Sequence, residues 1–191
     1  MSNKYVIISV YNKNGLEKIA PTLDKLGYKI IATAGTGKFL RSINIDFIKA
    51  SKVTKNPNAL YDCIQTISYF IYGGILFNRN NQDHVKQIKK LNIKPIDIVI
   101  CNFPPLNEIV KTQNDFNIQH VDVGGPLMVR SAATNYKQVL PLIDCNDYEV
   151  VASKLTNKNT IDEKLRKKLA IKAYDYCAQY DSQIVDLLSS Y

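Results

Sequence analysis

The sequence predicts an α/β fold in which a mainly parallel sheet is flanked by helices. Three observations lead there. Short β-branched runs alternate with amphipathic segments from the N-terminus onward. Two later runs, Ile96 to Cys101 and Val139 to Ile143, have the near-continuous apolar character of strands covered on both faces. At 191 residues, 46% of them hydrophobic, the chain is long enough for one domain with a core. No internal repeat, low-complexity linker or Pro/Ser-rich hinge interrupts it, so residues 1–191 are expected to form a single domain.

Tyr5 to Val10 is a strand. Leu16, Ile19, Ala20, Leu23 and Leu26 then recur at helical spacing and stop at Gly27. Tyr28 to Ala32 is a second strand, followed by a small-residue turn, Thr33 to Gly37, and a helix suggested by Phe39, Leu40 and Ile43. After the two buried strands comes a long tail. There Ile161, Leu165, Leu169, Ala173, Cys177, Tyr180, Ile184 and Leu188 recur nearly every fourth residue, which predicts one long helix or two broken near Asp181. In such an architecture ligands belong at the C-terminal edges of the strands.

Composition excludes several functions. The longest apolar run is six residues interrupted by Asp97, far below the roughly 20 that span a bilayer. The N-terminus has no apolar region or cleavage site of a secretory signal, so a cytoplasmic protein without membrane contact is expected. The four cysteines, at 63, 101, 145 and 177, form no CxxC pair, and His84 and His120 lie in unrelated segments. No metal site is expected, and the thiols are read as reduced and mostly buried. The net charge of +8 would suit an anionic partner, yet 21 of the 25 basic residues are Lys and only four are Arg. Arg is the residue of bidentate phosphate and base recognition, and the Lys clusters at 86–94 and 164–172 fall at helical spacing as solvated faces. Nucleic acid is therefore not the expected partner, and an anionic small molecule remains open.

Three segments could hold such a ligand. Ser9 to Leu16 leaves a strand and enters a helix, offering backbone N–H groups and the Lys13 ammonium. Thr33-Ala34-Gly35-Thr36-Gly37-Lys38 does the same with two hydroxyls, without Walker spacing. Either loop alone is equally explained by capping and turning, but two at one sheet edge can close on a single phosphate. The third is Asp122 to Ala133. Its tandem Gly124-Gly125 lets a ligand approach the backbone, Pro126 fits a first helical turn, and Asp122 is either a cap or a functional carboxylate.

Together these segments resemble the IMP cyclohydrolase domain, the N-terminal half of the bifunctional enzyme that also carries an AICAR transformylase domain. The family pattern SVSDKTGL resembles Ser9 to Leu16, and its S-T/S-G-G-T turn resembles Ala32 to Thr36. HGGIL is similar to Tyr72 to Leu76, IDxVxxNLYPF to Ile96 to Leu106, NIDIGGPxMxRSAAKN to Gln119 to Asn135, and IKAYEHTAAYD to Ile171 to Asp181. The resemblance is collinear over nearly the whole chain and ends where the transformylase domain would begin, so that domain is expected to be absent.

The resemblance implies a methylglyoxal-synthase-like fold, a homodimer, and a reaction without metal or cofactor. In that reaction the carboxamide nitrogen of formyl-AICAR attacks the formyl carbon and water leaves to give IMP. It assigns the phosphate and ribose to Ser9, Lys13, Thr33, Gly35, Thr36, Thr66, Gly124 and Gly125, and the reacting groups to Asn102, Asp122, Gln65 and Thr134. The sequence also departs from the pattern. Cys63, Gln65 and Ser68 replace the Arg, Lys and His of RVKTLHP, Tyr72 replaces the His of HGGIL, Pro104 replaces the Tyr of NLYPF, and Thr134 replaces the Lys of SAAKN. Neutral Gln65 and Thr134 can donate hydrogen bonds but cannot offset a developing oxyanion with positive charge. Two readings follow: a cyclohydrolase of reduced activity on formyl-AICAR or an IMP-like nucleotide, and a degenerate nucleotide-binding module or partner subunit.

Overall fold

A computed structural model describes residues 4–56, 64–106, 121–158 and 160–189. Its strands are β1 (Lys4–Val10), β2 (Tyr28–Ala32), β3 (Ile48–Lys49), β4 (Ile96–Asn102) and β5 (Leu140–Leu142). They form one sheet in the order β3-β2-β1-β4-β5, with every pairing parallel. The four predicted strands are present, with ends that differ by a residue. The two-residue β3 was missed because so short a strand leaves no periodic signal.

The helices are α1 (Leu16–Lys25), α2 (Ala34–Ser42), α3 (Ala50–Thr54), α4 (Tyr69–Leu76), α5 (Gln82–Lys90), α6 (Gly124–Thr134), α7 (Tyr148–Lys158) and α8 (Glu163–Ser189). Strand alternation divides the apolar residues between two cores. Ile7, Ile31, Val99 and Cys101 face Ile71 and Ile75 of α4, Met128 and Ala132 of α6, and Ala173, Cys177 and Tyr180 of α8. Val6, Ile8, Ile30, Ile98 and Ile100 face Leu16, Ile19 and Leu23 of α1, Leu40 of α2, and Val151 and Leu155 of α7.

One expectation needs correction, and one open alternative is decided. Thr33 to Gly37 is not a turn ahead of the helix: α2 starts at Ala34, with Thr33 extended before it. Gly37 lies inside the helix, and glycine is needed there because the Phe47 ring stands 2.5 Å from where a β-carbon would be. The C-terminal segment resolves to one unbroken helix, α8, and Asp181 is paired with Arg130 of α6 rather than marking a break.

Asp97, which interrupts the apolar run of β4, sits where the β1–β4 register shifts. Its carboxylate accepts the Tyr5 N–H at 2.9 Å and pairs with Arg79 at 3.2 Å. Both sheet edges are short: β3 has two residues, and β5 has three with Pro141 at its centre. Among the described residues no helix is long and apolar enough to cross a membrane. The strand order reverses between β1 and β4, which places a crevice at their C-terminal ends.

Candidate functional site

Eight of the expected residues meet at that edge. Ser9 is the penultimate residue of β1, Thr33 and Gly35 open α2, Gln65 and Thr66 precede α4, and Asp122, Gly124 and Gly125 open α6. They line a cleft of about 240 Å³. The Thr33 hydroxyl lies 3.3 Å from both the Ser9 and the Thr36 hydroxyls. Thr36 itself is buried, accepting the Val10 N–H at 3.0 Å, so it ties α2 to β1 behind the cleft rather than lining it.

The tandem glycine is required by close approach. A β-carbon on Gly125 would lie 2.5 Å from Asp122 Oδ2 and 3.0 Å from the Phe103 ring, and one on Gly124 would lie 2.9 Å from Thr66 Oγ1. Asp122 Oδ1 accepts the Gly125 N–H at 2.9 Å. Burial pushes the Asp122 carboxyl above the usual carboxylate range, against the pull of the Gly125 and Gly124 N–H groups. Asp122 is the one charged side chain among the described residues that line this cleft.

A second, larger cleft of about 1030 Å³ opens beside it, between the loops after β1, β4 and β5 and the flank of α8. Phe103 lines the larger cleft, and its ring packs against Gly125 of the smaller one. Lys13 and Asn102 line this larger space, apart from the eight. The Lys13 ammonium donates to the Tyr11 carbonyl at 2.6 Å. The Asn102 carboxamide is engaged at both ends, accepting the Asn12 N–H at 2.8 Å and donating to the Asn12 carbonyl at 3.0 Å. Asn102 thus clamps the Lys13 loop.

Thr134 enters neither cleft. It stands in the last turn of α6, about 15 Å from the Gly124 end, donates to the Arg130 carbonyl and lies 2.7 Å from the Tyr174 hydroxyl. Ser68, at the family's His position, caps α4 by accepting the Phe70 N–H. Cys63 and His120 lie outside the described residues. Among the described residues no three His, Cys, Asp or Glu side chains cluster as metal ligands.

Sequence reasoning missed the tyrosines behind the cleft. Tyr72 of α4 donates to the Gly124 carbonyl at 3.4 Å, and burial raises its phenol pKa further above the ordinary range. Tyr176 of α8 bonds both the N–H and the carbonyl of Phe103, and Tyr180 accepts the Asp122 N–H at 3.1 Å. Their signal is the phenol itself, a polar tip on a buried ring that needs a partner.

Residues 15–126 match the family of MGS-like domains. The chain belongs to that family. Residues 132–191 match the AICARFT/IMPCHase bienzyme family, and this MGS-like chain resembles the IMP cyclohydrolase domain. Its relatives include the bifunctional purine biosynthesis protein PurH of Caldicellulosiruptor bescii, 38% identical over 95% of this chain, and that of Caldicellulosiruptor saccharolyticus, 40% identical over 95%. The chain covers 36% of the length of each. The crystal structure of ForH superimposes with a TM-score of 0.84 at 28% identity, covering 98% of this chain and 100% of that one.

Proposed function

We propose that this MGS-like chain acts in purine biosynthesis as an IMP cyclohydrolase-like protein, closing the ring of formyl-AICAR. The observation that carries the reading is the convergence of seven other motif residues around Asp122. Backbone N–H groups at the start of α2 receive the phosphate oxygens, as helix N-termini do for anions, while the Gly124 and Gly125 N–H groups at the start of α6 hold Asp122. Asp122 takes a proton from the carboxamide nitrogen as it attacks the formyl carbon, and passes it to the formyl oxygen. The new C–N bond closes the ring, and the hydroxyl so formed then leaves as water with the formamide N–H proton, leaving a C=N bond in the ring. A carboxyl raised by burial is a stronger base than an exposed one, which suits that transfer. Most of the advantage comes from holding the two arms of one molecule together.

The test is conversion of formyl-AICAR to IMP by the purified protein, followed by the absorbance change on ring closure. Turnover is expected, with Asp122→Asn lowering it on the order of 10²-fold or more while IMP binding persists. Equal rates in the two proteins would sink the role given to Asp122. The shortage of cations in the smaller cleft favours a second reading, a nucleotide-binding module or partner subunit, and IMP binding without any turnover would select it.

We also read the chain as a homodimer. Val123 just before α6, Leu127 of α6, and Val185 and Leu188 of α8 are exposed beside the Arg130–Asp181 cross-link between the two helices, apolar surface suited to a second copy. Sedimentation is expected to give twice the chain mass, and a monomer at micromolar concentration would refute this. A cytoplasmic setting fits the free thiols of Cys101, Cys145 and Cys177.

A further inference from the structure

We propose that Tyr180 is a positioning residue for Asp122, holding through its hydroxyl the backbone on which the carboxylate is carried. The inference rests on the reading of Asp122 as the reacting carboxylate. Asp122 lies outside regular structure, just before α6, so among the described residues no helix or strand ladder fixes its peptide. Two contacts do. Its carboxylate is held from the helix by the Gly125 N–H at 2.9 Å, and its own N–H is held from behind by the Tyr180 hydroxyl at 3.1 Å, 58 positions along the chain. With both in place the residue is gripped at the main chain and at the tip of the side chain, and rotation of the carboxylate away from the cleft would break one or the other.

Tyr180 is rigid enough for the task. It is 4% exposed, and its ring meets the Phe103 ring edge-on at 4.6 Å between centroids. Phe103 is stacked in turn on Tyr176 at 4.4 Å. One helical turn of α8 therefore reaches both walls of the site, Tyr176 through the backbone of Phe103 and Tyr180 through the backbone of Asp122. The hydroxyl is separable from the packing, because a phenyl ring at position 180 keeps the contact with Phe103 and loses only the acceptor.

The experiment uses the full chain and two variants. Tyr180→Phe removes the acceptor of the Asp122 amide. Tyr176→Phe removes a hydroxyl from the same helix without touching Asp122. Hydrogen exchange at the Asp122 amide is expected to speed up at least tenfold in Tyr180→Phe and less than twofold in Tyr176→Phe. The 13C-detected titration midpoint of the Asp122 carboxyl is expected to move in Tyr180→Phe alone. In turnover of formyl-AICAR, Tyr180→Phe is expected to lower kcat at least tenfold with KM within twofold. If Tyr180→Phe does not fold, Tyr180→4-fluorophenylalanine fills the hydroxyl's space with a poor acceptor and is read the same way. Unchanged Asp122 exchange and titration, or equal changes in the two variants, would overturn the proposal. Absence of turnover in the unmodified chain would instead count against the cyclohydrolase reading, while the exchange and titration still decide the role of Tyr180.

Discussion

Two glycines of the cleft face opposite steric situations, and they separate folding from binding. Around Gly35 nothing lies within 4 Å of an added β-carbon, whereas at Gly125 such an atom would press on Asp122 and Phe103. Gly35→Ala is therefore expected to leave stability unchanged or raise it by up to about 1 kcal/mol through helix propensity, yet weaken IMP binding by crowding the start of α2. Gly125→Ala is expected to cost about 1 to 3 kcal/mol and to displace the carboxylate. Urea titration beside IMP binding checks both, and a Gly35→Ala protein with full affinity would show that no ligand approaches α2. Glycine, threonine and aspartate at one strand-to-helix junction are equally caps and turns, so the sequence pointed to this site only through several such junctions falling at one sheet edge. The neighbours of Asn102 and Thr134 were not legible, since the Asn12 clamp and the Tyr174 contact join residues 90 and 40 positions apart.

Between elements, α8 is fastened to the turn after β5 by Lys172, whose ammonium lies 2.6 Å from both Asp144 and Asp147. Hydrogen bonding to Lys172, helped by the Asn146 N–H, holds the Asp144 carboxyl below its usual range. Burial pulls the Lys172 ammonium down, but the two carboxylates outweigh it and leave it raised. The signs give a window. The Asp144 contribution is present above the unfolded carboxylate pKa of about 3.9 and is lost as pH falls through the lower folded value. The Lys172 contribution is complete below its unfolded pKa of about 10.4 and is lost as pH rises through the higher folded one. Lys172→Met is expected to cost about 1 kcal/mol at pH 7, because the pair is partly exposed and two carboxylates are left facing each other. The cost should shrink toward pH 2. A pH-independent difference in thermal melts would mean that the alkyl stem, not the charge, is what matters. The sequence revealed α8 through its four-residue spacing, but spacing says nothing about which lysine of a basic helix finds a carboxylate.

Over the whole molecule, net charge and local charge diverge: the chain carries +8, while the cleft around Asp122 has no cationic side chain among its described lining residues. Gln65→Lys would put one there. It is expected to tighten IMP at least fivefold at low salt, with the gain fading at high salt as screening grows. Thr134→Lys, at the far end of α6, is expected to change affinity less than twofold in the same assay. The reverse ranking would mean that the far end of α6 takes part in a site. The parallel sheet and its two cores were legible because strands buried on both faces must be apolar throughout. The separation of Lys13 from the smaller cleft was not, because it depends on how the loops after β1 and β4 grip each other. The sheet's margins bear on how such molecules meet. A two-residue strand at one border and a proline in the middle of the three-residue strand at the other offer almost no main-chain ladder for a foreign strand to continue. Among the described residues, neither border favours growth by templated strand addition, which leaves the helix faces as the surfaces through which copies can associate.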